Sequence, residues 1–182
     1  GRLTALVGGV GDGQAEVLAP IAEKAKIPFF NIGSSHDALR RACGRYTFHV
    51  ESSAAMYLDV MAQWLAANGK KKPFVIHENN DVSNALQARF VKAVERHGAG
   101  ATIAGKAAVK PEQPVYFNEL NAIEAAGADL IVLLINAVDQ IAFLAQEETV
   151  DVDIPSITFP ETISQTRDYI SSVRALAPLD NP

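Results

Sequence analysis

Short apolar runs alternate along this chain with stretches of helical periodicity. LTALVG (3–8) is an apolar run that predicts a buried strand, and Gln14 to Ala25 repeats its apolar positions at helical spacing. IPFFNI (27–32) predicts a second strand, with Pro28 tolerated because it falls near the strand start. The series then breaks after Leu39-Arg40-Arg41. A loop and an extended YTFHVES (46–52) separate it from a second series, which predicts a short crossing between two ligand-clamping lobes carried on one chain.

In the second series Ser53 is placed to cap a helix through Met56, Val60, Trp64 and Leu65, which stops at Asn68-Gly69. Pro73 to His77 predicts a strand, Ser83 to His97 a helix ended by Gly98, and TIAGKAAV (102–109) a more polar, edge-like strand. A helix over Tyr116 to Ala126 follows, then the apolar strand DLIVLLI (129–135), a helix over Asp139 to Glu148, the strand IPSITF (154–159) and a last helix from Ser164 to Leu176. There is no internal repeat and no low-complexity stretch.

Strands separated by helices of roughly ten to fifteen residues form βαβ units, so the expected class is α/β with mostly parallel sheets. Ligands of such sheets sit where the strands end at their carboxyl side. The turns that matter are therefore Gly9 to Gln14, Gly33 to His36, Glu78 to Ser83, Asn136 to Asp139 and Pro160 to Thr162.

With 182 residues, 48% of them apolar and 20% charged, the chain can bury one good core or two small ones. The net charge of −5 and the scattering of the cations exclude a basic nucleic-acid face. The one cationic cluster, Lys70-Lys71-Lys72, is expected to cap a helix C-terminus. No apolar run approaches the ~18 residues that a membrane span needs, and Gly1-Arg2 leads straight into a strand-like segment without a signal peptide. Cys43 is the only cysteine, which excludes an internal disulfide and a cysteine metal cluster; it is expected to be buried or inert, or to have a partner outside these residues.

The strand-end residues offer binding groups and no catalytic set. GGVGDGQ (8–14) lacks the third glycine of a dinucleotide motif because Gln14 stands there, yet its glycines let backbone amides approach a small anion at a helix N-terminus. Gly33-Ser34-Ser35 offers two hydroxyls and free amides, or simply caps the helix over Asp37 to Arg41. Glu78-Asn79-Asn80-Asp81 is a dense polar loop that either meets a ligand or forms a solvated turn. Asn136 and Glu161 are isolated polar groups at strand ends, each a ligand contact or a helix cap. No nucleophile stands beside an identifiable base, no phosphate loop or metal motif appears, and the histidines at 36, 49, 77 and 97 stand apart. No cofactor is expected.

The order of these residues is familiar. ALVGGVGDGQAEVLAPIAEKAKIPFFNIGSS, YTFHVESS, PFVIHENNDVSNALQARFVKAVERHGA and ITFPETIS resemble the type I periplasmic solute-binding proteins, the leucine/isoleucine/valine-binding family of ABC importers. The most specific pieces are PIAEKAKIPFFNIGSS (20–35) and YTFHV (46–50). The resemblance implies two Rossmann-like parallel-sheet lobes joined by hinge crossings, with residues 1–49 part of the N-terminal lobe, 50–158 the C-terminal lobe and 159–182 the hinge and return helix. It also implies that the first lobe is incomplete and the chain a partial segment.

By the same resemblance a small polar or amino-acid-like solute binds between the lobes, outside the cytoplasm, and passes to a membrane permease. Asp12, Gly13 and Gln14 then align with a serine turn of the first lobe, and Ser34 and Ser35 with the turn that holds a ligand carboxylate. Asp81 and Val82 lie where the second lobe offers an aromatic, Asn136 and Ala137 at its next strand end, and Glu161 where an acid meets a ligand ammonium. Asp12 in place of serine and Val82 in place of an aromatic depart from a standard branched-chain amino acid pocket. A ligand sensor of the same fold, in a receptor or transcription regulator, is the alternative, and a nucleotide-dependent α/β enzyme a third reading that Gln14 disfavours.

Overall fold

A computed structural model of the chain describes residues 3–10, 13–150, 152–160 and 167–176. The elements alternate as the hydrophobic pattern predicts: β1 (Leu6–Gly8), α1 (Gln14–Ala25), β2 (Phe29–Asn31), α2 (Asp37–Arg41), β3 (Thr47–His49), α3 (Ala54–Ala67) and β4 (Pro73–Glu78). They continue with α4 (Asp81–His97), β5 (Gly105–Val109), α5 (Phe117–Ala125), β6 (Leu130–Leu134), α6 (Ala137–Thr149), β7 (Ser156–Thr158) and α7 (Arg167–Leu176). Every strand pairing is parallel, and the chain divides into a unit over Gly1–Tyr57 and a unit over Leu58–Pro182.

The first unit holds a three-stranded sheet in the order β1-β2-β3. Leu6, Phe29 and Thr47 form one register row, Val7, Phe30 and Phe48 the next, and Gly8, Asn31 and His49 the row at the strand ends. One prediction changes here. YTFHVES is not only a crossing, because Thr47–His49 pairs with β2 as a full member of the sheet. α1 lays Ala15, Ala19 and Ala22 over Phe29, small residues that let the helix approach closely. The opposite face is apolar and open: Val7, Phe30 and Phe48 are exposed, and the two rings stack with centroids 5.4 Å apart.

The second unit holds a four-stranded sheet in the order β5-β4-β6-β7. All of β6 is buried, and so is β4 as far as His77. That is what strands covered on both faces require, and it explains their nearly continuous apolar sequence. β5 is an edge strand, as its more polar sequence predicts, and Gly105 in it lies under the Phe74 ring, where an added Cβ would come within 2.4 Å. Phe74, Ile76, Leu120, Ile123, Ile131, Leu133 and Phe143 form the core, with Tyr116 edge-on to Phe143. Burying each such side chain contributes about 1.5–3 kcal/mol.

Capping decides where the predicted helices begin. Ser53 Oγ accepts from the Met56 amide (3.1 Å), as expected. Asn80 and Asn136 cap α4 and α6, so each helix starts two residues earlier than its apolar periodicity suggests. Of the lysine triplet, Lys70 caps α3, which ends at Ala67, through its backbone amide, which donates to the Leu65 carbonyl (3.0 Å). Gly69, at φ +68°, stops the helix, and the chain runs on extended into β4. The Lys71 and Lys72 amides there bind the Asp129 carboxylate at 2.6 and 2.8 Å, and Lys71 Nζ binds the Ala99 carbonyl beyond α4 (2.5 Å). Cys43, itself left-handed at φ +48° in the loop after α2, is exposed and not buried as expected.

Two buried polar side chains hold α6 in place. Gln140, fully buried, donates to the carbonyls of Ile135 (2.7 Å) and Phe159 (3.2 Å) and accepts from the Tyr169 hydroxyl of α7 (2.6 Å). One amide thus joins the ends of β6 and β7 to the last helix. Glu147 accepts from the Ser156 hydroxyl at the start of β7 with both carboxylate oxygens (3.1 and 3.0 Å). Burial pushes the Glu147 carboxyl up to about 7; the Ser156 hydroxyl opposes the shift and Glu148 adds to it.

Gln140→Leu should destabilise the second unit by about 1–3 kcal/mol, because it removes three hydrogen bonds made at a buried amide. Urea unfolding checks this, and a neutral result would remove Gln140 from its place as the tie. For Glu147 the raised value means that the folded state keeps its proton after the unfolded state has lost it, so its contribution to stability falls as pH rises from about 4.5 to about 7. Glu147→Gln should therefore gain on the parent protein across that window and hold a constant difference above it. Melting curves at several pH values that show a pH-independent difference would contradict the assignment.

Candidate functional site

The strand ends of each unit are built from below by buried polar side chains. In the first unit Asn31 is fully buried at the end of β2. Its Oδ1 accepts from the amides of Ser34 (2.9 Å) and Gly33 (3.3 Å), while its Nδ2 donates to the Ser34 carbonyl (2.8 Å) and faces His49 Nδ1 at 3.1 Å. The Asn31 carbonyl in turn accepts from the amides of Val50 and Glu51. Gly9, at φ +93°, leaves the room for this side chain: a Cβ there would lie 2.6 Å from Asn31 Oδ1. Gly33 likewise packs against the backbone of Gly9 and Val10.

The predicted residues of this unit take their places around that frame. The Ser34 amide, expected to be free, is held by Asn31. Ser34 and Ser35 are half-buried; Ser34 Oγ accepts from the His36 amide (3.4 Å) and the Ser35 carbonyl from the Ala54 amide (2.8 Å). Gly13 stands at the N-terminus of α1 in a left-handed conformation, φ +72°, with no side chain capping the helix, and Gln14 begins it, exposed. Asp12 lies outside the described residues.

In the second unit Glu78 ends β4 and bridges two turns. Its Oε1 accepts from both the backbone amide and Nδ2 of Asn136 (2.8 and 2.9 Å), and its Oε2 accepts from Asn80 Nδ2 (2.7 Å). Asn80 Oδ1 caps α4 through the Ser83 amide (2.8 Å). Asn136 Oδ1 caps α6 through the amides of Val138 and Asp139, and its Nδ2 also reaches Asp139 Oδ2 (2.7 Å). Asp139, buried, then holds the Glu112 amide at the β5 turn (2.9 Å). Burial, followed by the charge of Asp139, pushes the nearby Tyr116 phenol above its ordinary value.

Asn136 thus has each of its side-chain hydrogen-bonding positions directed at the protein. Asp81 and Val82 are exposed in the first turn of α4, Ala137 is buried, and Glu161 lies outside the described residues. Sequence reasoning singled out the turns and passed over Asn31 and Asp139, which organise them. A polar residue ending an apolar strand was the available signal for Asn31, and an acid in the first turn of a helix was that for Asp139. Among the described residues no helix is long and apolar enough to cross a membrane, and no cluster of potential ligands could hold a metal ion.

The family model described as periplasmic binding protein matches residues 1–167. No curated protein matches the chain in sequence. Among solved structures, a branched chain amino acid ABC transporter periplasmic ligand-binding protein from Burkholderia xenovorans is similar with a TM-score of 0.80 at 17% identity, over 92% of this chain and 45% of that one. A solute binding protein of an ABC transporter from R. palustris, in complex with benzoate, is similar with a TM-score of 0.68 at 13% identity, over 96% and 56%. Another from Rhodopseudomonas palustris BisB5, in complex with 3,4-dihydroxy benzoic acid, has a TM-score of 0.66 at 21% identity, over 85% and 42%. The chain spans about half the length of these structures.

Glu78→Gln replaces an all-acceptor group by one that must turn a donor toward Asn80 or Asn136. It should cost about 1–3 kcal/mol of stability. Hydrogen exchange should show the loss at the amides of Ser83 and Asn136 before it appears in the core strands. Uniform loss across the second unit would mean that Glu78 does not organise these turns.

Proposed function

The chain belongs to the periplasmic binding protein family, and from that premise we propose that it is the solute-recognising part of an ABC importer that captures a small carboxylic acid outside the cytoplasm and delivers it to a membrane permease. The observation that carries this reading is the division of labour at the strand ends. The buried Asn31 and the half-buried Glu78 satisfy the turns from beneath, and the turns carry Ser34, Ser35, Gln14, Asp81 and Val82. Such a surface is polar and, among the described residues, sets no hydroxyl beside an activating base, which suits recognition without chemistry.

A carboxylate fits the first unit. Its strand-end groups are hydroxyls and the uncapped N-terminus of α1, where backbone amides and the helix dipole favour an anion. Benzoate and 3,4-dihydroxy benzoic acid, bound in two of the similar structures, are carboxylic acids, and so are the branched chain amino acids for which a third is named. Val82 in place of an aromatic favours a solute other than a branched-chain amino acid. On this reading Asn136 positions the Glu78 bridge, and Asp12, Gly13, Ala137 and Glu161 complete the recognition set.

Native mass spectrometry of the full-length protein from its own host should show a retained small acid. Glu161→Gln should weaken that acid by roughly 30-fold to several thousand-fold if its partner on the ligand is cationic, with the melting temperature of the empty protein nearly unchanged. Ser34→Ala should weaken any carboxylate, about 5-fold to 10-fold for one lost hydrogen bond. A protein that carries no adduct and whose melting is unmoved by amino acids and hydroxybenzoates alike would overturn the reading.

A further inference from the structure

We propose that Asn31 and His49 act as a positioning pair that orders the Gly33–Ser34 turn only while the His49 ring is neutral. The argument is one of donors and acceptors. Two backbone amides, of Gly33 and Ser34, point at one end of the Asn31 side chain, so that end is the carbonyl oxygen. The other end is then the NH2, and it meets the Ser34 carbonyl and His49 Nδ1. Nδ1 must therefore present its lone pair, which places the ring proton on Nε2. A proton added to Nδ1 would set N–H against N–H2 at 3.1 Å, between the half-buried His49 and the fully buried Asn31. Asn31 can relieve that only by turning over, which sets its NH2 against the two turn amides.

The surroundings hold the ring neutral. Burial, and next the Arg40 guanidinium of α2, keep the His49 imidazole below the ordinary histidine value. Arg40 itself is tied to the Glu51 carbonyl, and the Glu51 carboxylate accepts from the Tyr57 hydroxyl of α3. From α1, Glu23 binds the Tyr46 amide and the Thr47 hydroxyl at the opposite end of β3, and Glu16 faces the His36 ring. Every one of these groups lies within the first unit. The sign follows: the pair is intact at neutral pH and is lost as pH falls through a midpoint below ~6.5.

That the turn binds solute rests on the proposed function; its pH dependence does not, so the test uses no ligand. In the 15N-labelled chain, the neutral His49 ring should carry its proton on Nε2. The Gly33 and Ser34 amide shifts should titrate with the same midpoint as the His49 ring. His49→Gln, whose side-chain oxygen accepts from Asn31 without titrating, should leave those two amides flat, whereas His36→Gln should leave their titration in place. A proton on Nδ1 at neutral pH, or Gly33 and Ser34 amides that ignore the His49 titration, would overturn the proposal. So would a titration that survives in His49→Gln. Should that variant fail to fold, co-titration in the parent chain decides alone.

Discussion

Where a parallel strand stops inside a protein, the backbone of the turn that follows needs hydrogen-bond partners, and this chain supplies them from buried and half-buried side chains. Asn31 does so for β2, Glu78 for β4 and β6 together, and Gln140 for β6 and β7. Leaving such groups without partners costs about 1–3 kcal/mol each, comparable with the net stability margin of a domain once several are added. The helices also depend on it. α4 and α6 begin where Asn80 and Asn136 cap them, and both caps are oriented by Glu78.

The same arrangement separates residues that support the turns from those the turns expose. Because Asn31, Asn136 and Asp139 are engaged with the backbone, the turns above them are held in one geometry without help from solute. A binding surface prepared in this way loses less conformational entropy on capture than a loose one. Gly9 is part of the device although it makes no polar contact, since only a residue without a side chain leaves space for the Asn31 amide. In the proposed importer the first-unit turn would gain a dependence on the charge of His49, because its order passes through one imidazole nitrogen.

The architecture was legible because its cause is periodic. Runs such as LIVLL and helices such as Gln14–Ala25 repeat what burial on two faces or on one stripe demands, and both appear where the pattern puts them. Errors concentrated at boundaries and at three-residue elements. β3 carries too few residues for its alternation to stand out, so its role as a strand of the first sheet came from pairing with Phe29–Asn31. α4 and α6 extend beyond their apolar stripes because a cap, rather than hydrophobicity, sets the first turn. The lysine triplet does two things of which only one is local: the Lys70 amide closes the end of α3 on the Leu65 carbonyl, whereas the backbone amides of Lys71 and Lys72 hold Asp129, 57 or more positions along the chain.

Local chemistry was enough to establish an α/β chain with parallel sheets and the helices between its strands, since each follows from periods of two and 3.6 residues and from where glycine and asparagine fall. Which polar residues face a ligand and which serve the fold is a different kind of fact. Asn31 and His49 stand 18 positions apart and Glu78 and Asn136 58 apart, and their hydrogen bonds exist only because parallel pairing brings the strand ends side by side. No window of sequence contains both partners. The division between support and surface therefore belongs to the folded sheet, where distance along the chain no longer separates them.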